Sequence, residues 1–340
     1  MTSVLIQRQP RFPRSFFKDY TSVAVLADET SRYHCYERIR DQFPPHRLIV
    51  IPSGERHKNI ETCSSVWKQM TESGLDRHSL LVAVGGGVVG DLGGFCASTF
   101  KRGIDFVLVP TTLLAMADAS LGGKTGIDFG TLKNHLGTFA MPAATWIFTI
   151  FLDTLPRSEL RSGFAEIIKH AILFDKALWK SLVSKALEEQ DWVALIKRST
   201  GLKLMIVKKD PGEAGLRKTL NFGHTIGHAL EGHALQIEKP LLHGEAVAAG
   251  MVMEGYIAWK KGLLGQGEFR EISDYIKKIF GMADLPSDER WLVALSQDKK
   301  NRGKEILMAL PKSIGKAVFD IPVSAAEILA AVAGYSKNQM

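Results

Sequence analysis

Four of the ten histidines fall in one stretch, "LNFGHTIGHALEGHALQIEKPLLHGEAVAAG": His224, His228, His233 and His243. Imidazole is the commonest protein metal donor, so the question is which of them could share an ion. His224 and His228 are four residues apart and share one face of a helix. That spacing resembles HExxH without its glutamate, which disfavours zinc-protease chemistry. His233 lies nine residues past His224, about 180° around an ideal helix, so it faces away. His243 opens the strongly helical "GEAVAAGMVMEGYIAWK" and projects from its first turn. A catalytic zinc takes three protein ligands and keeps one position open. A third donor is therefore expected from elsewhere, and "SGFAEIIKHA" puts Glu166, Lys169 and His170 on one helical face, with His170 read as structural. Spacing alone leaves open whether His224 or His228 joins His243.

A second group of residues suits phosphate. "GGGVVGD" (Gly85 to Asp91) contains Gly85-x-Gly87-x-x-Gly90 between a strand-like and a helix-like run. Backbone N–H groups at such a turn can approach a phosphate, with the helix dipole in support. The turn follows the third strand of the chain, not the first, and Asp105 precedes its strand instead of ending it. Asp28, ending "VAVLAD", is the better partner for a ribose hydroxyl.

These residues need a frame. "VAVLAD" (23–28), "RLIVIPS" (47–53), "LLVAVGGG" (80–87), "FVLVPTT" (106–112) and "ATWIF" (144–148) read as buried strands. Helical segments near 31–43, 57–73 and 88–100 separate the first four, which predicts a parallel sheet with helices on its faces. Ligands of such sheets sit beyond the C-terminal strand ends. From about Ser158 to Gly281 the pattern turns helical, and the tail adds two β-like runs (305–310 and 316–320) before a last helix. The expected organisation is an α/β Rossmann-like domain over residues 1–150, followed by a mainly α-helical domain over 151–340.

Composition narrows the class. The chain has 340 residues, 45% hydrophobic and 23% charged, which fits two globular domains. Three cysteines, Cys35, Cys63 and Cys96, without CxxC spacing exclude a disulfide framework and suit a reducing cytosol. No signal peptide or membrane-spanning run is read. The net charge of +7 fits an anionic small molecule, whereas the scattered lysines do not suggest nucleic acid.

Long blocks in a fixed order then carry a resemblance. "GGGVVGDLGGFCASTFKRGI", "VPTTLLAMADASLGGKTGID", "KNHLGTF", "GFAEIIKHA", "LRKTLNFGHTIGHALE" and "LHGEAVAAGM" resemble the 3-dehydroquinate synthase family of sugar phosphate cyclases over nearly the whole chain. The resemblance implies a dinucleotide-binding domain and a helical domain holding metal and substrate. It implies NAD+, one divalent zinc or cobalt ion, a cytoplasmic location and a homodimer. It makes Glu166, His224 and His243 the metal ligands and His228 an active-site residue that binds no metal. Toward NAD+ it points to Asp28, to Ser53, Gly54, Glu55, Arg56, His57 and Lys58, and to Gly87, Val88, Val89, Gly90 and Asp91. Thr111, Thr112, Lys124, Lys133, Phe151, Leu152, Asp153 and Thr154 complete that side. Toward substrate it points to Arg102, Lys124, Asn134, Lys169, Lys203, Arg217, Asn221 and His228, with Lys299 or Lys300 from "DKK".

The reaction so implied converts 3-deoxy-D-arabino-heptulosonate 7-phosphate to 3-dehydroquinate and phosphate in the shikimate pathway. It runs through transient oxidation at C5, phosphate elimination, re-reduction, ring opening and aldol closure. Arginine and lysine side chains suit the substrate's carboxylate and phosphate. Three rival readings stand beside it: a 2-epi-5-epi-valiolone synthase-like cyclase, a metal-dependent polyol dehydrogenase and a non-catalytic NAD-binding protein.

Overall fold

The computed structural model describes residues 3–130, 132–237, 241–285, 291 and 306–337. The chain divides into two compact units, one of residues 1–160 and 192–200, the other of 161–191 and 201–340. The change of composition near residue 150 thus marks the end of the last sheet strand. The division itself comes after Leu160, inside a helix, and Trp192–Thr200 returns to the first unit with no shift in composition to mark it.

The first unit is built on six strands: β1 (Ser3–Gln7), β2 (Val23–Asp28), β3 (Arg47–Ile51), β4 (Leu80–Gly85), β5 (Asp105–Pro110) and β8 (Ala144–Phe148). Their order is β1-β8-β5-β4-β2-β3, and each of these pairings is parallel. β4 is buried along its whole length, as expected of a central strand covered on both faces. From β2 the chain goes to β3 on one side and then to β4 on the other. The C-terminal ends of β2 and β4 therefore flank a topological switch point, where such sheets open a crevice. Helices α1 (Glu29–His34), α2 (Ile60–Glu72) and α3 (Gly87–Thr99) connect these strands. Strands β6 (Lys124–Phe129) and β7 (Leu132–Phe139) form a separate antiparallel hairpin.

Two local expectations change. The helix expected over 31–43 stops at His34 and continues as 3-10 turns at Tyr36–Arg38 and Arg40–Gln42. Ser31, Cys35, Tyr36, Ile39 and Phe43 are buried there, at spacings of three and four, so burial alone does not choose between the 3-10 and α periods. The N-terminal residues, in which no motif was read, supply β1 as an edge strand beside β8.

The second unit is mainly helical. It takes most of α4 (Arg157–Phe174), then α5 (Lys176–Val183), the end of α6 (Trp192–Lys209), α7 (His224–Gln236), α8 (His243–Lys260) and α9 (Gln266–Phe280). The two β-like runs of the tail pair as an antiparallel hairpin, β9 (Ile306–Ser313) and β10 (Lys316–Val323), ahead of a last helix, Ala325–Ser336. Among the described residues no helix is long and apolar enough to cross a membrane.

Candidate active site

In the second unit three helices converge on one carboxylate. Glu166, on α4, is fully buried. Its Oε1 lies 3.4 Å from His224 Nε2 and 3.5 Å from His243 Nε2, while Oε2 pairs with the Lys169 ammonium one turn along the same helix. Neither carboxylate oxygen has a hydrogen bond of ordinary geometry. That is costly for a buried charge unless another cation completes the site.

The backbone explains how the three meet. The first turn of α8 lies against α4 at Gly244, whose amide donates to Ser162 Oγ at 2.9 Å. A Cβ at Gly244 would come 2.0 Å from the Ser162 carbonyl oxygen, so only glycine allows this approach. Glu166 is one turn beyond Ser162, and His243 is next to Gly244. At the other crossing, a Cβ at Gly250 of α8 would come 2.0 Å from Gly223 O, at the start of α7. Glu254 of α8, fully buried, accepts hydrogen bonds from Gly223 N at 2.7 Å and Ile226 N at 3.0 Å. It thereby caps the helix that begins with His224.

The electrostatics of the cluster divide the two imidazoles. Burial disfavours ionisation of Glu166, but the Lys169 ammonium and His224 outweigh it and hold the carboxyl well below the usual range. Burial, with the Lys169 charge, pushes the His224 imidazole down. Burial also works against charge on His243, yet the Glu166 and Glu231 carboxylates beside it lift it to about 9. The two shifts are opposite in sign, and a cation bound at either imidazole competes with its proton.

Glu166, His224 and His243 place one donor atom each within 4.8 Å of one another. Zinc bonds of about 2.0–2.2 Å in a tetrahedron separate neighbouring ligand atoms by about 3.4 Å. The 3.4 and 3.5 Å separations seen here match that edge, so the residues present fit a divalent ion. His228 is exposed, its ring centroid 5.0 Å from that of His224. His233 is buried and belongs to none of the three-donor groups.

The substrate-side residues expected from the sequence separate by unit. Lys169, Lys203 and Arg217 are buried in the second unit. Asp210 fixes the Arg217 backbone (N to Oδ2, 2.9 Å), and the guanidinium donates to Pro211 O at 2.9 Å. Asn221 Nδ2 donates to Glu213 Oε1 at 3.0 Å. Lys299 and Lys300 lie outside the described residues. Arg102, in the first unit, follows α3 and precedes β5. The strands are parallel, so it lies at the N-terminal edge of the sheet, opposite the glycine turn, and is exposed there. Within that unit the structure does not bring Arg102 to the turn.

At the crevice of the first unit, α3 begins directly after Gly86. A Cβ on Gly87 would find no heavy atom nearer than 3.9 Å. Packing therefore does not require glycine there, and the first turn is open to the approach of a ligand. Lys58 is buried and donates to Asp91 Oδ2 at 2.6 Å and Asn134 Oδ1 at 2.5 Å. Burial opposes its charge, but Asp91 and Glu55 push the ammonium up. Lys133 Nζ approaches Glu55 Oε1 at 3.6 Å, and Arg56 Nε donates to His57 Nε2 at 2.9 Å. The loop after β3, the start of α3 and the β6–β7 hairpin are thus drawn together around Lys58.

Other expected cofactor residues have work inside the fold. Asp28 Oδ1 caps α1 by accepting from Ser31 N at 2.6 Å, and Ser53 Oγ accepts from Thr30 N at 3.1 Å. The side chains of Val89, Phe151 and Leu152 are buried in the core, which leaves their backbone groups to face the crevice. Asp153 pairs with Arg8, and Thr154 Oγ1 donates to Phe151 O. Thr111 N donates to Gly85 O at 2.9 Å, and Thr112 Oγ1 accepts from Ala115 N at 3.2 Å. Lys124, Val88 and Gly90 are not fully buried, and Gly54 adopts a positive φ of 106° in its turn.

Sequence reasoning missed Glu231 and Glu254. Glu231 had a signal, since it stands three residues after His228 and seven after His224, on the same helical face. Glu254 had none, because its partners are backbone amides.

The model of the 3-dehydroquinate synthase N-terminal domain matches residues 48–162, and that of the C-terminal domain matches 163–301. A 3-dehydroquinate synthase of a Sulfurovum species is 42% identical over 315 residues, 89% of this chain and 88% of the relative. One from a Nitratiruptor species is 43% identical over 293 residues, 84% of this chain and 82% of the relative. Among solved structures, 2-epi-5-epi-valiolone synthase from Streptomyces hygroscopicus subsp. jinggangensis 5008, with NAD+ and Zn2+ bound, superposes with a TM-score of 0.86 at 30% identity. It covers 99% of this chain and 97% of that one. A 2-deoxy-scyllo-inosose synthase, complexed with carbaglucose-6-phosphate, NAD+ and Co2+, shares the fold with a TM-score of 0.82 at 24% identity, covering 94% of this chain and 92% of that one. With both family models matched in order and such identity over most of its length, this chain belongs to the 3-dehydroquinate synthase family.

Proposed function

We propose that the protein is a 3-dehydroquinate synthase, a lyase that releases phosphate from 3-deoxy-D-arabino-heptulosonate 7-phosphate and closes the carbocycle of 3-dehydroquinate. The observation that carries this reading is the buried Glu166 carboxylate faced by two imidazoles, in a chain of this family. NAD+ supplies reversible hydride chemistry, and a divalent zinc or cobalt ion supplies Lewis acidity toward the hydroxyl to be oxidised.

The chain's own residues then have definite tasks. Glu166, His224 and His243 hold the metal. The first turn of α3 at Gly87 receives the cofactor phosphates, and Asp28 meets a ribose hydroxyl with the oxygen its cap leaves over. Lys169, Lys203 and Arg217 supply cations for the substrate's carboxylate and phosphate, and desolvation strengthens each pairing. Binding both anionic ends of one molecule makes ring closure effectively unimolecular. His228, exposed one turn from His224, relays a proton. A cytoplasmic homodimer completes the reading.

The 30% identity to a 2-epi-5-epi-valiolone synthase makes that activity the competing reading. The test offers purified protein, NAD+ and zinc with either the heptulosonate phosphate or sedoheptulose 7-phosphate, which lacks the carboxylate. Phosphate release and a carbocyclic product from the first alone, with no net NADH, are expected. Turnover of the second alone would transfer the assignment, and net NADH would indicate a dehydrogenase.

A further inference from the structure

His243 turns its two ring nitrogens toward two different carboxylates. Nε2 lies 3.5 Å from Glu166 Oε1, and Nδ1 lies 3.3 Å from Glu231 Oε2. His224 is turned the same way, with Nε2 3.4 Å from Glu166 Oε1 and Nδ1 3.1 Å from the Phe222 carbonyl oxygen. A ring that offers Nε2 to an ion keeps its proton on Nδ1 and donates it to whatever lies behind. Behind His224 that acceptor is a neutral carbonyl two residues away. Behind His243 it is a buried carboxylate on another helix.

We infer that Glu231 is a positioning residue of the metal centre, accepting the Nδ1–H of His243 and so holding Nε2 as its metal-facing nitrogen. This rests on Glu166, His224 and His243 being the ligands. The carboxylate fixes the tautomer, restrains the ring and makes its Nε2 a stronger donor. α7 therefore contributes twice to the centre, with a ligand at His224 and, two turns later, the support for a ligand on α8.

The geometry argues against Glu231 as a ligand of the same ion. His228, Glu231 and His243 also bring donor atoms within 4.8 Å of one another. In that grouping, however, His243 faces Glu231 through Nδ1, on the opposite side of the ring from Glu166. One imidazole cannot aim both nitrogens at one ion. The fully buried Glu166 carboxylate, paired with Lys169 but with no hydrogen bond of ordinary geometry to either oxygen, favours the Nε2 side.

The test uses full-length protein stripped of metal, with zinc affinity measured by competition against a chromophoric chelator. The proteins compared are wild type, Glu231→Ala, Glu231→Gln and His243→Ala, with the visible spectrum of each cobalt-loaded form as a second readout. Glu231→Ala should weaken zinc binding about 10- to 100-fold. Glu231→Gln, near-isosteric and still an acceptor for Nδ1–H, should weaken it less. The cobalt bands of both should keep their wild-type positions, because the donor set is unchanged. Wild-type affinity in Glu231→Ala would overturn the inference. So would zinc binding lost in Glu231→Gln as fully as in His243→Ala, with shifted cobalt bands, which would make Glu231 a ligand. If the wild type binds neither metal, the ligand assignment fails first and the inference falls with it.

Discussion

The Glu254 carboxylate takes the Gly223 amide at 2.7 Å, joining the middle of α8 to the start of α7. Its other oxygen accepts from Ile226 N at 3.0 Å, so one buried side chain satisfies two of the orphan donors of the helix that begins with His224. Glu254→Gln leaves one oxygen and turns an NH2 toward a backbone N–H. The expected cost is about 1–3 kcal/mol of stability, with weakened zinc binding because His224 loses its fixed helix start. Thermal unfolding and zinc competition check both. A variant as stable as wild type with unchanged affinity would show that the cap does not position the ligand.

Two glycines of α3 should respond in opposite ways to the same added methyl. A Cβ on Gly94 would come 2.4 Å from Thr125 Cγ2. Gly94→Ala must therefore displace the β6–β7 hairpin from α3, at about 1–3 kcal/mol. A Cβ on Gly87 meets nothing nearer than 3.9 Å, and its backbone is helical. Gly87→Ala should leave the melting temperature unchanged or slightly raised, while NAD+ affinity measured by calorimetry falls at least several-fold. Unchanged affinity in Gly87→Ala would remove the first turn of α3 from the cofactor site.

The sheet was legible in the sequence because its strands are buried on both faces and read as short apolar runs ending at polar or glycine residues. β8 begins and ends at Ala144 and Phe148, as its "ATWIF" run suggests. β1 was not legible, since an edge strand of five residues before a proline- and phenylalanine-rich loop has too little pattern. The β6–β7 hairpin was hidden for another reason. Its outer strand is largely exposed, so no alternation of buried and exposed residues announces it. In the candidate site, His224 and His228 are equivalent by spacing. Only the crossings of α8 with α4 at Gly244 and with the start of α7 at Gly250, which are tertiary, bring His224 and not His228 against Glu166. The position of Arg102 at the N-terminal edge of the sheet follows from chain direction, which composition does not show.

The three thiols are all buried. Burial pushes the Cys35 thiol up to about 12, the Thr111 contact and the Arg38 charge only partly offsetting it. Burial, with a contact to Cys63, also holds Cys96 well above the usual range. The thiolate is the reactive form, and a pKa of about 12 leaves roughly one Cys35 in ten thousand ionised at pH 8. Native protein should therefore release almost no thionitrobenzoate from a disulfide reagent at pH 8, and three equivalents in denaturant. Because the shift is upward, reactivity should rise only as pH approaches 12. Rapid labelling of one cysteine at pH 8 in folded protein would contradict the burial.

His224 and His228 stand one turn apart with ring centroids at 5.0 Å, yet they are expected to fail differently. His224 Nε2 faces the buried Glu166 oxygen, and its Nδ1 is already committed to the Phe222 carbonyl. His228 is exposed, and His224 is the α7 imidazole at ion-pair distance from Glu166 among the described residues. His224→Ala removes one of three donors and leaves Glu166 paired only with Lys169 and His243, so metal content should collapse. His228→Ala should retain metal close to one equivalent per chain and lose most turnover, because the proton relay is lost while the ion stays bound. Metal content by mass spectrometry, together with phosphate release at saturating NAD+, separates the two. Loss of metal from His228→Ala equal to that from His224→Ala would move His228 into the ligand set. Full activity in His228→Ala would leave the proton transfer to another group, such as the substrate's own phosphate.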